Sequence, residues 1–156
     1  MIKIKFYLFL FLCSALSFAK PLNGYVVAIN DGDTFVLLDD TKTQHKIRLA
    51  EIDCPESGQP FGKNAKQFLS DLIFNKTVYC QVLNIDKYGR EICKVYLEPN
   101  LKTYVSSELV KAGLAWHYKR YSNSIELDKF EKEARRCKRG LWAEPNAIAP
   151  WNWRRN

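Results

Sequence analysis

Three short runs of β-branched and alternating apolar residues, each closed by a tight-turn signal, leave the first half of this chain little choice but a β-meander. Residues 24–30 are apolar and β-rich, and Asp31-Gly32, a strong hairpin dipeptide, breaks them. Residues 34–38 and 44–49 follow as two further strands, joined by the polar Asp39-Asp40-Thr41-Lys42. In the third strand Ile47 and Leu49 share one face, so Arg48 must point to the other. That orientation sends a guanidinium away from the apolar side that the meander has to bury.

Over residues 62–74 the period changes. Ala65, Phe68, Leu69, Leu72 and Ile73 form an i, i+3, i+4, i+7 stripe, which predicts an amphipathic helix. Strand character returns at 78–83 and 92–97, around a turn at Asp86 to Gly89. Val105, Leu109 and Ala112 predict a short helix stopped by Gly113. A last helix is expected to open near Asn123 or Ser124, with Asn123 and Glu126 as a capping box and Leu127, Phe130, Ala134 and Cys137 as its buried face. The order βββαββαα predicts an α+β fold: a single domain built on a five-stranded Greek-key β-barrel of the OB type with three α-helices.

The N-terminal residues 1–19 stand apart. Lys3 and Lys5 precede an apolar stretch, and Ser17-Phe18-Ala19 sets small residues at −3 and −1 of a cut before Lys20. This pattern predicts a signal peptide and export, secreted or periplasmic. The apolar run is short for a span of ~20 residues, so no stable membrane insertion is expected. Cys13 follows Leu12 rather than a small residue, which disfavours a lipoprotein. Residues 20–142 form the domain and 143–156 a tail carrying Trp151, Trp153, Arg154 and Arg155, expected to be irregular and pinned by its tryptophans. Without Lys3 and Lys5, 22 of the 24 basic residues remain against 17 acids, a net charge of +5. Such a surface suits either a polyanionic partner or simple solubility.

Cys54, Cys80, Cys93 and Cys137 form no C-x-x-C pair, which disfavours a zinc site. A turn centred on Lys87-Tyr88 puts Cys80 opposite Val95 and only diagonal to Cys93. Small buried side chains at 80, 93 and 137, with room for at most one bridge, are the expectation.

The chemistry concentrates in short segments between the apolar runs. Asp31-Gly32-Asp33-Thr34, Arg48, Asp53-Cys54-Pro55-Glu56 and Asp86-Lys87-Tyr88-Gly89-Arg90 supply three carboxylates, Asp33, Asp53 and Glu56, and two guanidinium groups, Arg48 and Arg90. Phosphodiester cleavage needs that inventory: oxygen ligands for a hard cation, a carboxylate to handle attacking water, and fixed cations on the phosphoryl oxygens. The alternative is that the aspartates cap turns and the arginines pair with Glu51 or Glu91 at the surface. His45 reads as an exposed strand residue and His117 as a polar tip in an aromatic patch, neither in a catalytic neighbourhood.

In these blocks, together with Glu108-Leu109-Val110-Lys111-Ala112-Gly113-Leu114-Ala115 and Arg139-Gly140-Leu141-Trp142, the sequence resembles the staphylococcal nuclease (thermonuclease) family from about residue 25 to 142. The resemblance implies a calcium-dependent, sugar-nonspecific nuclease on an OB barrel. Such an enzyme hydrolyses DNA and RNA at the 5′-oxygen–phosphorus bond and leaves 3′-phosphate ends. It implies Asp33, Asp53 and the backbone carbonyl of Cys54 as Ca²⁺ ligands, Glu56 as general base, and Arg48 and Arg90 as the phosphate clamp. Lys87 and Tyr88 would hold a terminal phosphate of bound substrate, and a monomer is expected. Three features depart from the family pattern. Cys54 replaces a threonine, residues 57–62 are shorter than a lysine-rich loop, and Trp116, His117 and Tyr118 do not align one to one with the base-stacking tyrosines. A degenerate barrel that binds nucleic acid or protein without cutting, or an adhesin or inhibitor on the same barrel, are the competing functions.

Overall fold

The structure, a computed structural model, describes residues 21–155; the expected signal peptide lies outside them. β1 (Leu22–Ile29), β2 (Thr34–Asp39) and β3 (Gln44–Leu49) make the antiparallel meander. β5 (Thr77–Ile85) and β6 (Glu91–Tyr96) form the hairpin. β6 lies parallel to β3, and β5 returns to pair with β1, so the order β1-β2-β3-β6-β5 closes a barrel with no free edge. The expected five-stranded OB-type architecture is the one observed.

Alternation decides which way each strand faces. Val26, Phe35, Leu37, Ile47, Leu49, Val78 and Val95 are fully buried in the barrel, each contributing about 1.5–3 kcal/mol relative to exposure. α1 (Gly62–Ile73) covers one end with Ala65, Leu69 and Ile73. α2 (Val105–Lys111) packs on barrel strand β6 and α3 (Ile125–Arg136) packs on α2, and α2 ends just before Gly113 as expected.

Several local expectations are corrected. Ser124, not Asn123, caps α3: its backbone is extended and its Oγ accepts from the Leu127 amide at 3.2 Å. Cys137 follows the last helical turn and is exposed, so the buried face runs through Leu127, Glu131 and Ala134, with Phe130 partly buried against the core as expected. Cys54, Cys80 and Cys93 are buried, and all four thiols are free. Cys80 does lie opposite Val95. His45 is half-buried between Asp39 and Glu91, and His117 is buried.

Four short elements were not foreseen. β4 (Ile52–Asp53) pairs with β7 (Trp116–His117) in a two-residue ladder outside the barrel, too short for any periodicity to announce. The tail is not irregular throughout: after a 3₁₀ turn at Gly140–Ala143 it forms α4 (Pro150–Trp153), with proline at its first position. Its tryptophans do anchor it. Trp151 stacks on Tyr118 with ring centres 5.0 Å apart and meets Trp116 edge-on at 5.5 Å.

Candidate active site

The site begins at the β1–β2 turn. Asn30 and Asp31 amides both donate to the Thr34 carbonyl, at 2.9 and 3.3 Å, and the Asp33 amide donates to Asp31 Oδ1 at 3.0 Å. Gly32 allows this loop to press against its neighbours: a Cβ there would lie 2.7 Å from Ala65 Cβ and 2.8 Å from Cys54 Cβ. The Cys54 thiol donates to the Gly32 carbonyl at 3.2 Å, and the Cys54 amide donates to Asp33 Oδ2 at 3.1 Å. The loop carrying Asp33 and the strand carrying Asp53 are thereby fastened together.

Arg48 is brought in by register. It pairs across the sheet with Thr34 and points away from the barrel core, as expected from Ile47 and Leu49. Its Nη1 donates to the carbonyls of Leu49 (3.0 Å) and Ile52 (3.1 Å); its Nη2 donates to Asp53 Oδ1 at 2.8 Å and lies 3.2 Å from Asp33 Oδ2. One planar fork therefore ties both buried aspartates to the chain between β3 and β4. It pairs with neither Glu51 nor Glu91. Burial lowers the Arg48 pKa, but the charges of Asp33 and Asp53 outweigh it and the net displacement is upward.

Glu56 projects from the loop after β4. Its amide donates to Gln59 Oε1 at 3.2 Å, and Gln59, itself buried, donates from Nε2 to the Ile148 carbonyl at 2.6 Å. The start of α1 packs so tightly here that a Cβ at Gly62 would collide with the Glu56 carbonyl. The carboxylate is partly exposed, with 40% of the side chain accessible, which leaves it reachable by solvent and substrate.

From the opposite wall comes the β5–β6 turn. Asp86 accepts from the Tyr88 and Arg90 amides and from Arg90 Nε at 2.7 Å, which orients the arginine. The terminal nitrogens of Arg90 make no hydrogen bond among the described residues. Asp31, Asp33, Arg48, Asp53, Glu56 and Arg90 line one cleft of about 700 Å³. Tyr88, Tyr118 and Tyr121 stand around it, Tyr88 and Tyr121 with about 70% of their surface exposed. Lys87 lies over the Tyr88 ring at 5.0 Å, outside the cleft lining. Burial, then the nearby Asp33 charge, raises the Asp31 pKa to about 6. Burial likewise raises that of Asp53 in spite of its two guanidinium partners.

Residues 46–144 match the family described as staphylococcal nuclease homologue. The chain belongs to the staphylococcal nuclease family. It is similar to a micrococcal nuclease of Shigella flexneri, 42% identical over 140 residues that span 85% of this chain and 80% of that protein. A Haemophilus influenzae protein named "uncharacterized endonuclease" is 42% identical over 130 residues, 83% of this chain and 71% of its own. One of the same name from Escherichia coli O157:H7 is 36% identical over 147 residues, 94% of both chains.

In this member of the family, the residues expected from sequence converge, with Lys87 at the margin. The donor set suits a hard cation: Asp33 and Asp53 are carboxylates held side by side by one guanidinium, and no imidazole or thiolate competes, since the Cys54 thiol is turned toward Gly32 and burial raises its pKa well above normal. Among the described residues no three His, Cys, Asp or Glu side chains gather as metal ligands. A cation here would therefore rest on two carboxylates, with backbone, solvent and substrate oxygens completing its shell.

Sequence reasoning missed one participant. Arg154 reaches back from the end of α4. Its Nη2 donates to Asp53 Oδ2 at 2.7 Å, and its Nη1 donates to Glu56 Oε1 at 2.5 Å and to Asp53 Oδ1 at 3.3 Å. The partners lie about a hundred positions apart in the chain, and no local pattern connects them. Trp-Asn-Trp-Arg-Arg was a signal for anchoring, not for a place in the cleft. Tyr118 and Tyr121 also needed the fold to bring them to the rim.

Proposed function

We propose that this protein is an exported, Ca²⁺-dependent nuclease that hydrolyses phosphodiester bonds of DNA and RNA and leaves 3′-phosphate ends. One observation carries the reading: Asp33, Arg48, Asp53, Glu56 and Arg90, from four separate segments, line a single cleft open to solvent. A module that only binds nucleic acid would need the cations but not the buried carboxylates. Export rests on the sequence of residues 1–19, and action as a monomer on the closed, edge-free barrel.

Ca²⁺ bound at Asp33 and Asp53, with the Cys54 carbonyl as a further oxygen ligand, would supply fixed positive charge where the phosphoryl oxygens become more negative. The chain's own groups divide the remaining work. Glu56, partly exposed beside Asp53, takes the proton of the attacking water. Arg90, oriented through Nε by Asp86, offers its terminal nitrogens as a fork to the phosphoryl oxygens, where charge accumulates in the transition state. Arg48 commits both terminal nitrogens inside the protein, so its main task is to hold the two aspartates. Tyr88 and Tyr121 offer exposed rings on which bases can stack whatever their sequence or sugar, and Lys87 adds positive charge at the rim.

The test is cleavage of plasmid DNA and of a long RNA by the purified protein in Ca²⁺ or in excess chelator, with the fragment ends examined for a 3′-phosphate. Cleavage only in Ca²⁺, with 3′ ends that block extension until a phosphatase is added, is the expected result. Undiminished cleavage in chelator would refute the metal assignment. Tight binding without cleavage in either condition would make the protein a binding module.

A further inference from the structure

Arg154 raises a question that the chemistry of the family does not answer, because two kinds of positive charge draw on the same oxygens. Its guanidinium takes both oxygens of Asp53 and one of Glu56. Asp53 is 1% exposed, so its charge is answered almost wholly by what the protein places beside it. Arg48 supplies one such charge, from within the barrel wall, and Arg154 supplies the other, from the C-terminal helix.

The contact is built and not a stray surface pair. Buried Ala149 and Pro150 seat the start of α4, the Gln59 amide fixes the Ile148 carbonyl, and Trp151 stacks on Tyr118 with the rings only 7° from parallel. Gln59 also receives the Glu56 amide, so the tail and the Glu56 loop are positioned by one side chain. Arg154 itself remains 43% exposed. The segment that carries it is therefore held in place while the guanidinium has solvent on one side.

We propose that Arg154 is an internal competitor for the divalent cation, a tethered charge that sets how tightly Asp53 and Glu56 hold metal. This rests on the reading of the cleft as a Ca²⁺ site. A carboxylate oxygen shared by a guanidinium and a divalent ion brings two positive charges within a few ångströms. Cation binding is weakened by that repulsion if the arginine stays, and by the loss of its ion pairs with Asp53 and Glu56 if it is displaced. Under water-like screening the penalty is about tenfold in affinity, and larger in a partly buried cleft. A displaced Arg154 remains tethered at the cleft rim, where phosphate oxygens are the next available acceptors. The tail thus lowers the affinity for free cation relative to a site that already holds the polyanion.

Isothermal titration of CaCl₂ into the wild-type protein, Arg154→Ala, Arg154→Gln and Arg154→Lys measures this without reference to activity. The neutral variants are expected to bind Ca²⁺ about tenfold tighter or more, and the lysine variant close to wild type, since it keeps the charge. Arg154→Gln keeps length and hydrogen bonding, so it gives the answer even where the alanine variant is destabilised. Neutral variants that bind Ca²⁺ as wild type does, or more weakly, would overturn the proposal and leave the Ca²⁺ site standing. Absence of Ca²⁺ binding by every form would overturn the Ca²⁺ reading itself, and this proposal with it.

Discussion

Arg48→Lys separates the structural from the catalytic work of the two arginines. Arg48 makes four polar contacts from two nitrogens: two main-chain carbonyls through Nη1, and Asp53 and Asp33 through Nη2. A lysine has one nitrogen, which can serve the carbonyl pair or the carboxylate pair but not both. Two charged hydrogen bonds are lost, each worth about 1.5–3 kcal/mol, and the lower figure applies because the cleft admits water. The expected destabilisation is about 3 kcal/mol, or roughly 10 °C in Tm for a domain of this size. Arg90→Lys loses only one side-chain hydrogen bond, with Asp86 on an open turn, and should cost under about 1 kcal/mol. Arg90→Lys should lose turnover by about 10²–10³-fold through the missing fork to phosphate, with a smaller effect on substrate affinity. Arg48→Lys should lose turnover only through displacement of the two aspartates it holds. Urea denaturation followed by the fluorescence of the four tryptophans measures the first quantity, and single-turnover cleavage the second. Arg48→Lys within about 0.5 kcal/mol of wild type would refute the claim that this fork holds the aspartates together.

Two further expectations concern charge. Binding of a Glu56→Gln form to single strands and duplexes should weaken steeply between low and physiological salt, as counterions released from phosphates compete; an affinity flat across that range would mean phosphate contacts are not its main source. His45 lies 3.0 Å from Glu91 and 3.2 Å from Asp39. Burial lowers its pKa, but the two carboxylates pull harder and the net displacement is upward. A raised folded value means that its stabilisation is complete below the unfolded value of about 6.5 and fades as pH rises through the folded one. The stability gap between wild type and His45→Gln should therefore be wider at pH 6 than at pH 8.5, and equal gaps would contradict the ion-pair account.

Where side-chain period and turn chemistry act locally, the sequence was readable. The alternation through Ile47 and Leu49 and the stripe through Ala65, Leu69 and Ile73 anticipate burial, while Phe68 and Leu72 of the same stripe are only partly buried. Arg48 could be placed on the outer face by parity alone. What escaped was decided by distant packing. β4 and β7 are two residues each and exist because they meet one another. Cys137 fits the helical stripe in sequence, but the helix ends at Arg136, so the thiol turns outward. Asn123 and Ser124 are both good capping residues, and only the extended backbone at Ser124 settles between them. Arg154 is the largest omission, because its place in the cleft depends on α4 docking against Tyr118 and Gln59, contacts that leave no local trace.

The most direct test of the central claim compares wild type and Glu56→Gln in single-turnover cleavage of a labelled DNA oligomer, each form first shown to be folded and to bind Ca²⁺ by calorimetry. The substitution is nearly isosteric, so it removes basicity and charge and little else. If Glu56 is the group that takes the proton from water, the variant should retain fold and Ca²⁺ binding and lose about 10²–10⁴-fold in rate. A folded, Ca²⁺-binding variant that cleaves as fast as wild type would contradict the proposed chemistry of this cleft.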